Sequence, residues 1–192
     1  MSTFSKMKIV GVAGTNGSGK DSLGEILANY YGWLFVSVTD ILRHGLIERG
    51  LSIERENLRN LSAQWRRQSG LGVLVDKALE IYRKNPANYK GLAIASLRNF
   101  GEADRVHELG GKVVWVDADP KVRYKRIVSR LRGDEDRKTY EQFLAEEHAE
   151  MEHSGDEATL NISGVKAKAD VFLENNGTIE EFKKTIEKAL GL

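Results

Sequence analysis

Gly14-Thr15-Asn16-Gly17-Ser18-Gly19-Lys20 matches G-x-x-x-x-G-K, and it stands directly after the apolar run Met7–Ala13 and directly before an amphipathic segment. No other feature of the 192 residues constrains the fold as much. A strand must deliver its last residue into a loop whose glycines turn the backbone so that several N–H groups converge on one anion. The helix that follows aims its N-terminus at the same point and adds partial positive charge, and Lys20 supplies a point cation. Strand, loop and helix in that order form the context in which the pattern binds nucleotide phosphates instead of merely turning the chain. Gly14, Thr15, Asn16, Gly17, Ser18, Gly19 and Lys20, with Asp21 and Ser22 in the first helical turn, are therefore the candidate nucleotide contacts.

The rest of the chain repeats the strand-then-helix alternation. Leu23, Ile26, Leu27 and Tyr30 fall at i, i+3, i+4 and i+7 and predict one apolar face on the helix from Lys20, which Gly32 ends. Strands are predicted at Trp33–Val38, Gly91–Ala95, Lys112–Val116 and Val171–Glu174, and helices at Thr39–Glu48, Ile53–Gln68, Val73–Lys84 and Gly101–Leu109. Asp119 with Pro120 opens a helix running to about Leu131, because proline costs little in a first turn. A charged stretch, Arg132–Lys138, precedes a helix at Thr139–Met151, and Ser154–Lys168 is so weakly patterned that it reads as a loop or lid edge. Thr178 and Glu181 make a capping box for the terminal helix. Five strands alternating with helices predict a mostly parallel sheet covered on both faces, in a single α/β domain spanning the chain.

Composition removes whole classes of function. Lys and Arg number 29 against 28 Asp and Glu, so the near-neutral chain lacks the excess positive charge of a nucleic-acid binder. No cysteine is present, which excludes disulfides, a thiolate zinc site and a cysteine nucleophile. The first residues lack an apolar signal region, and no stretch approaches the roughly 20 apolar residues of a membrane span. The expectation is a soluble cytoplasmic protein with no membrane or nucleic-acid partner. His148 and His153 lie near Glu146, Glu147 and Glu152 at a spacing that matches no zinc signature, and Trp33 and Trp115 read as core residues.

A second set of residues points to what happens at the phosphates. The Ser or Thr that would follow the loop lysine and ligate Mg²⁺ is Asp21; Ser22 lies about 100° further round the helix and is no simple substitute. Either Asp21 holds the metal, directly or through water, or it makes another contact while nucleotide and water hold the ion; ligand chemistry favours the first. At the end of the third strand, where many such proteins carry an acid, the chain reads Ala95-Ser96, with Arg98 just beyond. Asp21, Asp40, Asp117 and Asp119 are the replacement acids. Arg123, Arg126 and Arg130 share one helix face, and Arg132 follows; guanidinium groups brought over a transferring phosphoryl would stabilise its charge. Arg66 and Arg67, beside Trp65, divide between acceptor binding and a solvated basic face.

With Val38–Arg43, Ile94–Arg98, Asp117–Arg130 and Ala169–Thr178 added to Gly14–Lys20, the chain resembles nucleotide-kinase-type P-loop proteins over nearly its whole length. It is similar to adenylate kinases, to dephospho-CoA kinases and above all to an archaeal family of adenylate/dephospho-CoA-kinase-like proteins. The resemblance implies a P-loop NTPase fold with a five-stranded parallel sheet and a small lid at about residues 130–168, with ATP and Mg²⁺ as cofactors. Thr39-Asp40-Ile41-Leu42-Arg43 resembles the T-G-D-x-L-R of adenylate-kinase-like enzymes without its glycine, which implies that Arg43 grips the acceptor phosphate while Asp40 orients the acceptor or caps its helix. Asn175, Asn176 and Gly177 resemble the A-D-x-x-I-x-N-x-G segment that flanks adenine in dephospho-CoA kinases. Asp21 and Leu97–Ala103 are also similar to phage-type deoxynucleoside monophosphate kinases and animal phosphomevalonate kinases, which carry Asp where this chain has Ser96.

Two functions follow. One is a phosphotransferase that moves the γ-phosphoryl of Mg-ATP to a small nucleotide-like acceptor, with Lys20, Arg98, Arg126 and Arg130 acting on the transferring charge. The other, motivated by Asp21 and the acid-free strand end, is a nucleotide-binding regulator or slow NTPase. Neither requires a covalent nucleophile.

Overall fold

A computed structural model of the chain describes residues 8–130, 138–152 and 154–192. Five strands, β1 (Lys8–Gly14), β2 (Leu34–Ser37), β3 (Gly91–Ala95), β4 (Lys112–Asp117) and β5 (Val171–Glu174), lie parallel in the order β2-β3-β1-β4-β5. The five-stranded parallel sheet flanked by helices is the α/β architecture expected. Side chains alternate across it with period two, and both faces are buried. Ile9, Ala13, Leu92, Ile94, Val113 and Trp115 belong to one apolar cluster; Val10, Val12, Ala93, Ala95, Val114 and Val116 belong to the other. A parallel sheet whose crossovers put helices on both faces demands such doubly apolar strands.

Helix α1 (Lys20–Tyr31) packs on the second face with the C-terminal helix, Ile179–Leu190. The opposite face carries α2 (Val38–Glu48), α3 (Arg55–Ser69), α4 (Val73–Arg83) and α5 (Phe100–Glu108). Leu23, Ile26 and Leu27 form the buried stripe of α1 as expected, but Tyr30 is exposed. Its neighbour Tyr31 packs at the core edge and hydrogen-bonds to Glu187. The stripe therefore narrows to three residues, and Tyr30 instead meets Lys183 of the terminal helix, its ammonium 4.8 Å from the ring centroid. Trp33 and Trp115 are buried, and the Thr178–Glu181 capping box is formed.

Ser154–Lys168 is not simply a loop. Ile162–Ala167 is a helix, α8, capped by Asn161 Oδ1, which accepts the Gly164 N–H at 2.8 Å. Ile162 and Val165 are buried in the cluster with α5. Six residues carry too few apolar positions to show a period, and the face they cover is supplied by α5 together with the β1 side of the sheet. Within this part of the expected lid region, α8 thus packs into the core, while Ser154–Glu157 is exposed.

Two further helices stand above the C-terminal ends of the strands: α6 (Pro120–Arg130), opened by Asp119 Oδ1 accepting the Lys121 N–H at 2.8 Å, and α7 (Tyr140–Met151). They are joined by the contact of Tyr124 with Tyr140 and Phe143, ring centroids 5.4 and 5.8 Å apart. The chain leaves β1 toward β2 and leaves β3 toward β4, on opposite sides of the β1–β3 pair. In open α/β sheets that reversal opens a crevice above the strand ends, where ligands bind.

Candidate functional site

The loop Gly14–Lys20 sits in this crevice with the local geometry its glycines permit. Gly17 and Gly19 adopt φ +78° and +93°, values an L side chain resists. A Cβ on Gly14 would overlap the Val116 carbonyl, and one on Gly19 would overlap the Asn175 amide. The loop is braced from the neighbouring strand ends. Thr15 Oγ1 donates to Asp117 Oδ1 at 2.8 Å, and Asn175 Nδ2 donates to the Ser18 carbonyl at 2.9 Å. Lys20 is buried at the start of α1.

These braces reassign several expected contacts. Asn175 is buried, and its amide serves the P-loop backbone; Asn176 Oδ1 accepts the Asp119 N–H at 2.6 Å. Both side chains thus tie the β5 turn to the loop and to α6, whereas Gly177 is exposed. Arg123 is buried, donates from Nε to the Ala118 carbonyl at 2.8 Å and pairs with Glu147. Burial lowers its affinity for the proton, against the opposing pull of Asp117. It is the pin between α6 and α7. Arg126 lies beside the loop, 3.5 Å from the Gly17 carbonyl. The Arg130 side chain, Arg132 and His153 lie outside the described residues.

Two cavities open on the front of the loop and share Asn16, Thr39, Ser96 and Arg98 as a common wall. The more polar one is lined by Lys20, Asp21, Ser22, Asp40 and Arg43 among others. Here Arg43 Nη1 lies 2.7 Å from Asp40 Oδ1, with both side chains at the exposed rim, and Ser96 Oγ lies 3.4 Å from Asp21 Oδ1. Among the described residues no cluster of three or more His, Asp or Glu is placed to hold a metal. The oxygen donors nearest Lys20 are nevertheless hard ligands of the kind Mg²⁺ takes, and the loop's glycine cradle fits a phosphate chain.

The second cavity has an apolar side of Val38, Leu42, Leu58 and Leu160 and a cationic side of Arg55, Arg59 and Arg98. Glu150 of α7 reaches over it, 3.6 Å from Arg59 and 3.8 Å from Arg98, while Glu146 lies 3.9 Å from Arg55. A recess that sets several arginines against an apolar wall suits a small anionic molecule.

Arg66 borders this cavity, but its guanidinium is buried in structure. Nε and Nη2 reach Glu102 Oε1 at 3.2 and 2.7 Å, and Nη1 donates to the Ala158 carbonyl at 2.9 Å. Glu102 in turn accepts the backbone N–H groups of Arg98 and Asn99 at 2.7 and 3.2 Å, and so holds Arg98 at the cleft. Arg67 is exposed and pairs with Asp156 at 2.9 Å, away from the P-loop. Of the expected arginine pair, one is a positioning residue and the other lies on the surface. Sequence reasoning missed Arg55 and Arg59, although a signal existed: Arg55, Arg59, Ser62 and Arg66 are spaced i, i+4, i+7 and i+11 on one face of α3.

Comparison with known proteins agrees with this geometry. Residues 10–152 match the model of an AAA domain. A UPF0200 protein of Thermococcus kodakarensis is 31% identical over 94% of this chain and 95% of its own length. Another, of Sulfurisphaera tokodaii, is 30% identical over 97% and 98%. Among solved structures, a putative kinase from Chloroflexus aurantiacus superposes with TM-score 0.60 at 16% identity, covering 98% of each chain. Shikimate kinase from Bacteroides thetaiotaomicron gives 0.59 at 14% identity, covering 97% of this chain and 99% of its own. Those two likenesses show that the chain shares its α/β fold with these proteins. The narrower resemblance to adenylate and dephospho-CoA kinases is carried by the motifs alone.

Proposed function

This chain belongs to the UPF0200 family and carries an AAA domain, and we propose that it is an ATP-dependent phosphotransferase acting on a small anionic, nucleotide-like acceptor of the nucleoside monophosphate or dephospho-CoA class. One observation carries the reading: the P-loop cleft and the arginine-lined cavity meet at Asn16, Thr39, Ser96 and Arg98, so a donor in one faces an acceptor in the other. In this reading Lys20 and the backbone of Gly14–Gly19 hold the donor phosphates. Arg55 and Arg59 hold an anionic group of the acceptor, with Arg43 and Asp40 at its entrance. Arg98 lies between them and, with Arg126 beside Gly17, stabilises charge on the phosphoryl as it passes in line to an acceptor oxygen and ADP leaves. Mg²⁺, held at Asp21, would neutralise charge on the donor phosphates. Arg130 remains a candidate on the same α6 face.

The alternative, a nucleotide-binding regulator or slow NTPase, is favoured by one feature, the hydroxyl of Ser96 where an acid would assist transfer. Mass-spectrometric product analysis separates the two. The protein is incubated with Mg-ATP and a pool of ribo- and deoxynucleoside monophosphates, dephospho-CoA and phosphomevalonate. The expected result is one acceptor gaining one phosphoryl group as ATP is consumed. ATP binding by calorimetry with every acceptor unchanged overturns transfer to these acceptors and favours the regulator or an acceptor outside the pool.

A further inference from the structure

In P-loop NTPases of the Ras and ATPase type, Mg²⁺ is held by the hydroxyl residue after the loop lysine and by an aspartate from a neighbouring strand. This chain has both residue types, but each stands in the other's place. Asp21 follows Lys20 at the start of α1, and Ser96 follows the last residue of β3. The exchange keeps one carboxylate and one hydroxyl, and with them the same charge and the same number of oxygen donors.

Two independent features of the structure bring the pair together. Ser96 Oγ and Asp21 Oδ1 lie 3.4 Å apart on the wall of the cleft that holds Lys20. That is well beyond the roughly 2.7–2.8 Å of an ordinary hydroxyl–carboxylate hydrogen bond, so neither oxygen is locked to the other. In addition, Ser96 has φ +68°, and among the described residues no other non-glycine residue has a positive φ. A buried, non-glycine residue in that conformation is strained, and strain of this kind persists where the surroundings require the side chain in one direction. Here the direction is toward Asp21.

We propose that Asp21 and Ser96 form a transposed metal pair, the carboxylate from the P-loop helix and the hydroxyl from the strand end together holding the divalent cation of Mg-ATP. The proposal rests on the nucleotide-binding reading above. Two oxygens of this hardness suit Mg²⁺, which is bound through few protein ligands and completes its shell with phosphate oxygens and water. The pair also resolves the missing acid at Ala95-Ser96: the acid is present beside it, on the first turn of α1. Glu25, one turn beyond Asp21, lines the same cleft but is exposed and serves as the control.

The test is ATP affinity by calorimetry with Mg²⁺ and with the metal chelated, together with the spectrum of bound Mn²⁺-ATP, in four variants checked for folding by thermal melting. For the unaltered protein Mg²⁺ strengthens ATP binding. Asp21→Ser loses this strengthening by roughly tenfold or more, the scale on which altering a metal's surroundings acts, while metal-free affinity does not fall, since a carboxylate that repels the phosphates is gone. Ser96→Asp alone sets two carboxylates together and weakens metal-free ATP binding. The double variant Asp21→Ser/Ser96→Asp restores the usual arrangement and recovers most of the Mg²⁺ dependence, and Glu25→Gln leaves it unchanged. A double variant no better than the two singles combined, or full Mg²⁺ dependence in Asp21→Ser, overturns the pair. Absence of any ATP binding by the unaltered protein instead overturns the nucleotide-binding reading beneath it.

Discussion

Replacing Arg66 with methionine tests whether the buried ion pair holds the acceptor side of the cleft together. Arg66 and Glu102 have side chains 1% and 0% exposed, and their closest approach is 2.7 Å. Methionine has nearly the same volume, so the substitution leaves little void, but it abandons the Glu102 carboxylate in the interior. Breaking a buried pair from one side costs about 3–5 kcal/mol, because the remaining charge has lost its partner and cannot reach water. In a protein of this size each kcal/mol moves the melting temperature by roughly 2–4 °C, so Arg66→Met is expected to melt on the order of 6–20 °C lower. Glu102→Gln in the same background removes the stranded charge while its carbonyl oxygen still accepts the Arg98 and Asn99 N–H groups. The double variant is therefore expected to regain a large part of the loss. Calorimetric melts of the single and double variants measure both quantities. A cost below about 1 kcal/mol for Arg66→Met, or a double variant at the plain sum of the singles, refutes the reasoning that burial makes this pair interdependent.

Glu150 neutralises Arg59 and Arg98 from above, so Glu150→Gln is expected to lower the acceptor KM by roughly two- to fivefold at low salt, as loss of a weak partly exposed pair allows, with ATP affinity unchanged. An unaltered KM shows that α7 does not screen the arginines. Asp170 gives a pH signature: burial alone would raise its carboxyl, but the Val113 N–H at 2.7 Å and His107 at 2.9 Å outweigh it and hold the group below the ordinary aspartate range. A depressed native value means stability that is complete above the unfolded value of about 3.9 and disappears as pH falls through the native one. Asp170→Asn is therefore expected to be less stable than the unaltered protein at pH 6, with the gap closing as pH falls below about 4 in urea titrations; a constant gap contradicts the assignment.

Much of the architecture is legible from local pattern. The bounds of β3 and β5 coincide with the short apolar runs between turn signals that predict them, although all five residues are buried in β3 and only Leu173 is buried in the edge strand β5. The P-loop is legible for the same reason: its strand, glycines, lysine and helix are contiguous. The candidate site was only partly so. Lys20, Asp21, Asp40, Arg43 and Arg98 do come to one cleft, but Arg66, Arg67, Asn175 and Asn176 engage protein groups instead. An arginine's partner depends on what stands opposite, and for Arg66 that is a residue 36 positions away.

The sequence by itself determined that β1 feeds a G-x-x-x-x-G-K loop, that the central parallel strands are buried on both faces, and that Asp21 and Ser96 stand where other residue types are usual. Those features depend on spacings of one to seven residues, which strand and helix geometry translate directly into faces and turns. Only the tertiary structure decided that α8 is core, that Arg55 and Arg59 face the cavity under Glu150, and that Asn175 braces Ser18 from 157 residues away. The parallel crossovers bring distant strand ends to one edge of the sheet. Which side chains meet there is set by burial and hydrogen-bond satisfaction across elements, and no local spacing encodes it.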